Sequence, residues 1–122
     1  MLPEERDLSL LWDMLEAAKD VVAFIENVKF SDFENDKKLR YATERQILVI
    51  GEAAKNISES TKNDYSEIPW KSIVGMRNIL AHEYGEVLTS RIWSTAKNDI
   101  PNLIAKINAA LKSLEQKIKL ST

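Results

Sequence analysis

Residues 4–28 read EERDLSLLWDMLEAAKDVVAFIENV, and this stretch decides the class of fold. Its apolar residues recur at intervals of three and four, which is the spacing of a helix that buries one face. The stripe consists of Leu8, Leu11, Trp12, Leu15, Ala18, Val22 and Ile25. Strands would need β-branched residues alternating between clusters of turn residues, and no segment of that kind occurs. The stretch therefore predicts an amphipathic first helix from about Glu4 to Val28.

Helical spacing continues outward from this stretch to the C-terminal end. Pro69 suits a first helical turn, Gly85 suits a C-terminal cap, and together they bracket a third helix. Asp99 is expected to cap a fifth helix with Pro101 in its first turn. Beyond the first helix, further helices are predicted at Asp36–Ser60, Pro69–Tyr84, Leu88–Asn98 and from Asp99 onward. Connections are expected at 27–35, before the second helix, and at 58–67, before the third.

Long amphipathic helices with short links pack as an antiparallel bundle. The sequence therefore predicts an all-α fold of four to five helices in a single domain over residues 1–122. A chain of 122 residues is long enough to bury a hydrophobic core without disulfides or metal.

Composition limits the kinds of site that are possible. The chain has no cysteine, which excludes disulfides and thiolate zinc sites. One histidine and scattered carboxylates form no ligand cluster, so neither a metal nor a cofactor is expected. The net charge of −2, from 17 basic and 19 acidic residues, argues against a protein that coats nucleic acid but not against a nuclease that grips RNA locally.

The sequence gives no sign of export or of a membrane span. Its first residues are charged and lack the basic-then-apolar layout of a signal peptide. The longest apolar run, Val21 to Ile25, is far shorter than the ~20 residues that a membrane-spanning helix needs. We therefore expect a cytoplasmic protein with no membrane partner.

The single histidine, His82, is the first candidate for chemistry, because histidine ionises near neutral pH without help. It follows Arg77 by five positions near the predicted end of the third helix. Each residue also has a structural interpretation: a lone histidine often caps a helix or is solvated, and Arg77 could pair with a carboxylate on a neighbouring helix. Residues five apart lie about 140° apart on an ideal helix, so the two do not share a narrow face.

Two longer stretches of sequence favour a role in chemistry over the structural interpretations. Residues 41–58, YATERQILVIGEAAKNIS, and residues 68–84, IPWKSIVGMRNILAHEY, resemble the second helix and the most characteristic helix of the HepT family. Ile92-Trp93 and Asp99-Ile100-Pro101-Asn102-Leu103 also match the pattern. The resemblance covers about residues 41–104 in consistent order, and it places the chain in the HEPN superfamily of small helical proteins.

The resemblance implies a ribonuclease toxin of a type VII-like toxin–antitoxin pair. HEPN ribonucleases carry an arginine, four to six residues and then a histidine, positions that Arg77 and His82 fill here. Asn78 fills the polar position that commonly follows the arginine. The family's tyrosine two places after the histidine corresponds to Tyr84, which the resemblance marks as the residue adenylylated by a nucleotidyltransferase antitoxin.

The chemistry of these side chains fits cleavage of RNA without a metal. His82 can act as general acid or base, Arg77 offers a planar fork of donors to phosphate, and Asn78 can hydrogen-bond to phosphate or ribose. Cleavage of this kind needs both an acid and a base, yet there is one histidine. A two-fold homodimer would bring two copies of His82 to one composite cleft.

Arg45 is a candidate contact to RNA, with Glu44 and Glu52 nearby on the second helix; the alternative is that these residues form surface ion pairs. Two other functions stay open. The chain could be a catalytically idle bundle that binds and assists a nucleotidyltransferase, or a structural dimer with no role toward RNA.

Overall fold

The computed structural model describes residues 2–121, and within them the chain forms helices without a strand. The all-α helical-bundle prediction is confirmed. In chain order the elements are α1 (Pro3–Ile25), α2 (Phe30–Asn35), α3 (Lys37–Lys55), α4 (Glu59–Asp64), α5 (Trp70–His82), α6 (Gly85–Ser94), a π-helical turn (Thr95–Asp99) and α7 (Ile100–Ser121).

Hydrogen bonds between α1 and α3 show that these two helices run antiparallel. Gln46 of α3 donates to a carboxylate oxygen of Asp20, late in α1, at 2.6 Å. At the other end, Arg6 donates to the backbone carbonyl of Asn56, just beyond α3, at 2.6 Å. α5 packs on α3 and α7 packs on α1, so α1 and α3 form the centre of the bundle.

The hydrophobic core is supplied mainly by α1, α3 and α7, whose apolar stripes face one another. α5 contributes no fully buried residue. This helix therefore rests on the bundle rather than being embedded in it. The largest buried side chains of the core are Leu11, Met14, Leu15, Val21, Phe33, Ile50, Ile68, Ile92, Ile107 and Leu114.

Several helices end earlier than their apolar stripes predict. α1 stops at Ile25 rather than Val28, and Asn27 then takes the left-handed φ of 59°, which does not continue a right-handed helix. The expected connection contains α2. Asp36 caps α3 by accepting a hydrogen bond from the Leu39 N–H at 3.0 Å, and α3 ends at Lys55 rather than Ser60. Ser58 instead caps the short helix α4.

The prediction that Asp99 caps a separate last helix is wrong. α6, the π-helical turn and α7 follow one another without a break, and the N–H of Ile100 donates to the carbonyl of Thr95, five residues earlier. Proline inside an α-helix lacks a donor and crowds the preceding turn. The wider π-helical turn lies just before Pro101, where it opens that crowded turn and lets the helix continue.

Asp7 is a charged residue that the sequence did not mark, and it is 1% exposed on α1. Its carboxylate accepts hydrogen bonds from the Ser58 N–H at 3.0 Å and from the hydroxyls of Ser58 and Thr61 at 2.6 Å each. Burial by itself would raise the pKa of Asp7, but these hydrogen bonds outweigh it, and the pKa lies below its ordinary value. Asp7 thus ties the α3–α4 link to α1.

Candidate active site

α5 carries three of the predicted site residues, Arg77, Asn78 and His82, and it spans Trp70–His82. The predicted helix was longer at both ends. Pro69 lies at the N-cap, and Glu83 ends the helix because its backbone is extended, with φ of −99° and ψ of 153°. Gly85 does not cap α5: it is the first residue of α6, with φ of 56°.

A glycine on α3 lets α5 approach closely at the level of Arg77. A Cβ on Gly51 would lie 3.2 Å from Cγ of Arg77 and 3.3 Å from the carbonyl oxygen of Ile73. Both distances are tighter than ordinary van der Waals contact, so a Cβ at position 51 would require Arg77 or the α5 backbone to shift by a few tenths of an ångström. The close approach fixes where the stem of the Arg77 side chain lies.

Arg77 forms an ion pair with Glu52 of α3, with 2.7 Å between Nε and Oε1. The Nε–H is not aimed at the carboxylate, so the contact is electrostatic rather than a directed hydrogen bond. The alternative that Arg77 pairs with a carboxylate on a neighbouring helix is therefore realised. The contact uses Nε, and neither terminal nitrogen of the guanidinium has a hydrogen bond within residues 2–121. The Arg77 side chain is 33% exposed, so those nitrogens can also meet a phosphate.

Asn78 and His82 are exposed, and their spacing of four residues places them on one side of α5. α5 stays helical through His82, so the expected angle of about 140° between Arg77 and His82 is kept. A single chain therefore presents Arg77 toward α3 and His82 away from it. The structure brings Asn78 and His82 together but does not bring His82 onto the side of Arg77.

Tyr84 lies in the two-residue link between α5 and α6 and is 79% exposed. The residue before it, Glu83, pairs with Arg91 of α6, with 3.2 Å between Nε and Oε2. This pair ties the link to α6 while the Tyr84 ring points into solvent. The phenol is accessible to a large reactant, which a packed tyrosine at a helix end would not be.

Arg45 and Arg77 line the same groove, which lies between α3 and α5 and has a volume of about 480 Å³. We call it the α3–α5 groove. The sequence analysis suggested Arg45 but did not single out Tyr41, which is 57% exposed at the groove. A signal was present in the spacing, since positions 37, 41, 45 and 48 fall on one side of a helix. The lining residues are Tyr41, Glu44, Arg45, Leu48, Arg77, Leu80 and Ala81.

A larger trough of about 580 Å³ lies on the other side of α5, between that helix and the π-helical turn with α7. Its floor is apolar, from residues such as Ile50, Met76 and Leu103, and Arg91 and Lys106 lie at its edge. The sequence did not predict it, because its shape depends on α5 leaning on α3 rather than on α7.

Comparison with known proteins identifies the family. Residues 14–110 match the sequence model of the family described as "Ribonuclease HepT-like". The chain belongs to the HepT-like ribonuclease family. The resemblance noted over residues 41–104 is thus confirmed, and the match extends beyond that stretch at both ends.

Curated relatives agree with this assignment. A Methanocaldococcus jannaschii protein named "Putative RNase MJ1380" is 37% identical over 100 residues, covering 81% of this chain and 92% of the relative. A second from that organism, "Putative RNase MJ1216", is 35% identical over 116 residues, covering 95% and 96%. "Probable ribonuclease HepT" of Thermococcus cleftensis is 39% identical over 102 residues, covering 84% and 93%. No solved structure matches the chain.

Residues 2–121 contain no group of three or more histidine, aspartate or glutamate side chains arranged to hold a metal ion. None of the helices in this part of the chain combines the length and the apolar character needed to cross a membrane.

Proposed function

We propose that this HepT-like chain is a metal-independent endoribonuclease that works as a homodimer and acts as a cytoplasmic toxin. The observation that carries the proposal is the arrangement of α5. This helix exposes Asn78 and His82, and it holds Arg77 at a groove with its terminal nitrogens free for a phosphate. α5 packs on the core through half-buried side chains such as Ile73 and Leu80, which leaves its polar side free to carry the site.

The proposed reaction is a transfer of the phosphoryl group to the neighbouring 2′-oxygen. One His82 imidazole accepts the proton of the ribose 2′-OH, and the 2′-oxygen forms a bond to phosphorus. The bond from phosphorus to the 5′-oxygen breaks, and a second, protonated His82 gives its proton to that oxygen. The products are a 2′,3′-cyclic phosphate and a 5′-hydroxyl. Arg77 stabilises the charge that develops on the phosphorane, and Asn78 orients phosphate or ribose.

The dimer is proposed because one chain has one histidine and presents it away from Arg77. In a dimer whose two-fold axis lies beside α5, the His82 side chains of the two protomers would lie opposite each other. They would then supply both the acid and the base. Mixing wild type with an excess of His82→Ala protein should then lower the cleavage rate by more than dilution alone would, because each mixed dimer contains only one His82. A monomeric preparation with full activity would contradict the composite site.

Cleavage of RNA by purified protein in excess EDTA tests the activity itself. Wild type should cleave, leave 2′,3′-cyclic phosphate ends and keep its rate after chelation, whereas His82→Ala should not cleave. The protein used must be shown by intact mass to carry no AMP. Failure of such unmodified wild type to cut any RNA would reject the proposal.

Control of the toxin is proposed to act through Tyr84. Its exposed phenol oxygen would lose its proton and attack the α-phosphate of ATP held by a nucleotidyltransferase antitoxin, which forms an AMP ester and releases pyrophosphate. The added phosphate lies two residues from His82, where it would repel RNA and fill the cleft. Co-expression with such an enzyme should add AMP mass to wild type and to Tyr41→Phe but not to Tyr84→Phe. AMP on Tyr84→Phe would place the modification elsewhere.

One observation favours a second function. Arg77 is already paired with Glu52, which is also what a non-catalytic bundle would show. In that case the chain would bind a nucleotidyltransferase and assist it without cutting RNA. Stable complex formation together with no cleavage by unmodified protein would favour this alternative.

A further inference from the structure

The exposed side of α3 carries an aromatic residue between two cations. Lys37, Tyr41 and Arg45 are spaced by four residues, so they form one row with steps of about 6 Å along the helix axis. Tyr41 is 57% exposed, and Nζ of Lys37 lies 5.7 Å from the centre of its ring. A tyrosine so exposed is not explained by packing, because burial of the ring is what stabilises an aromatic residue in a fold.

This row borders the α3–α5 groove and leads toward the proposed active site. Tyr41 and Arg45 line one wall of the groove, and Arg77 and Ala81, which precedes His82, line the other. Two arginines and one carboxylate, Glu44, line the groove. Because Glu52 already pairs with Nε of Arg77, the cations that this face offers to an anion are Arg45, Lys37 beside it and the remaining donors of Arg77.

The groove on the other side of Arg45, between α1 and α3, has the opposite character. Its lining includes four carboxylates, those of Asp13, Glu16, Asp20 and Glu52, and one cation, Arg45, which lines both grooves. Four carboxylates would repel the phosphates of an RNA strand. Because charge–charge interactions steer an anion toward cations, the strand should bind in the α3–α5 groove instead. Of the two grooves that Arg45 lines, the α3–α5 groove is thus the one with more cations than carboxylates.

We infer that the α3–α5 groove binds one nucleotide of single-stranded RNA beside the phosphate that Arg77 contacts. Its base stacks on Tyr41, and Lys37 and Arg45 contact the phosphates on either side. Aromatic stacking next to a basic track is how proteins hold single strands with little sequence preference. Duplex RNA would not fit, because its bases are stacked inside the helix. The inference rests on the proposed function for the identity of the scissile phosphate.

The test measures binding, so that it does not depend on cleavage. The affinity of a labelled single-stranded oligoribonucleotide is measured over a range of salt concentrations, with His82→Ala as the parent protein. Tyr41→Ala should weaken binding by about 5- to 150-fold without changing the slope against salt, and Tyr41→Phe should bind like the parent. Lys37→Ala and Arg45→Ala should each lower the slope of log affinity against log salt by about 0.7, the value for one phosphate contact on a single strand.

Matched controls come from other helices. Trp12→Ala removes another exposed aromatic side chain, on α1, and Lys112→Ala removes an exposed cation on α7. Both should bind like the parent. Circular dichroism on every variant checks that the fold is kept, which is expected because Lys37, Tyr41 and Arg45 are all exposed.

The outcomes separate this inference from the proposed function. If Tyr41→Ala binds RNA as tightly as the parent while wild type cleaves RNA, the binding role of the groove is rejected and the ribonuclease proposal stands. If the variants lose affinity as predicted but wild type does not cleave RNA, the binding role of the groove stands and the ribonuclease proposal is rejected. A Tyr41→Ala protein whose molar mass falls by half in solution would assign this face to a contact between copies and overturn the inference.

Discussion

Asp7 and Arg77 are both charged side chains that fasten a helix to the C-terminal end of α3 or to the link after it, yet their surroundings differ. Asp7 is 1% exposed and its carboxylate accepts three hydrogen bonds. Arg77 is one-third exposed and contacts one carboxylate, with no directed hydrogen bond from Nε. Buried charges are tolerated only when they are fully satisfied. Asp7 therefore serves the fold, whereas Arg77 is free to take the role in binding phosphate that we propose for it.

The same contrast holds for the helices that carry these residues. α1 contributes eight buried residues and α5 contributes none. Mutations on the two helices should therefore be separable, with loss of stability on α1 and loss of activity on α5.

The largest effect is expected from His82→Ala, which should lower the cleavage rate by about 10²- to 10⁴-fold because it removes the proposed acid–base group. His82 is exposed, so the free energy of unfolding should change by no more than about 0.5 kcal/mol. Single-turnover cleavage and urea denaturation measure the two quantities. A destabilisation above 2 kcal/mol would show that α5 is also needed for the fold.

Asp7→Ala should have the opposite profile. It leaves the Ser58 N–H and the hydroxyls of Ser58 and Thr61 without their acceptor, which should cost about 2–4 kcal/mol of the free energy of unfolding. Asp13→Ala, an exposed aspartate on the same helix, is the matched control and should change little. Cleavage per folded molecule should be unchanged. A stability like that of wild type would mean that the buried cluster contributes nothing.

The contribution of Asp7 should also depend on pH in a defined direction. Its pKa is lowered in the folded state, so the stabilisation is present above the unfolded value of about 3.9 and is lost as pH falls through the folded pKa. The difference in stability between wild type and Asp7→Asn should therefore shrink below about pH 4. Urea denaturation of both proteins across this range tests it, and a difference that grows toward acid would reverse the sign of the shift.

The sequence predicted what depends on local periodicity and on motif. Apolar spacing identified the long helices, and the residues around Arg77 and His82 pointed to the family. It could not predict the partner of Arg77, because Glu52 lies 25 positions away and is brought close by the packing of α5 against Gly51. Nor could it predict that Asp7 is buried, because a charged residue early in a helix is ordinarily solvated. The continuous helix through Pro101 was missed because proline usually marks a helix start.

The smallest expected effect, Glu52→Gln, tests the link between the two regions most directly. The change keeps the shape of the side chain and removes its charge, and an exposed ion pair contributes at most about 1 kcal/mol to stability. If Glu52 is a positioning residue for Arg77, kcat should fall by about 10-fold, because a displaced guanidinium stabilises the transition state less well. KM should stay level or fall, because Arg77 loses a competing anion. In an Arg77→Ala background the same change should have no further effect on kcat. A loss of kcat that persists in that background would show that Glu52 acts on some other group, and the contact with Arg77 would then be only a surface ion pair.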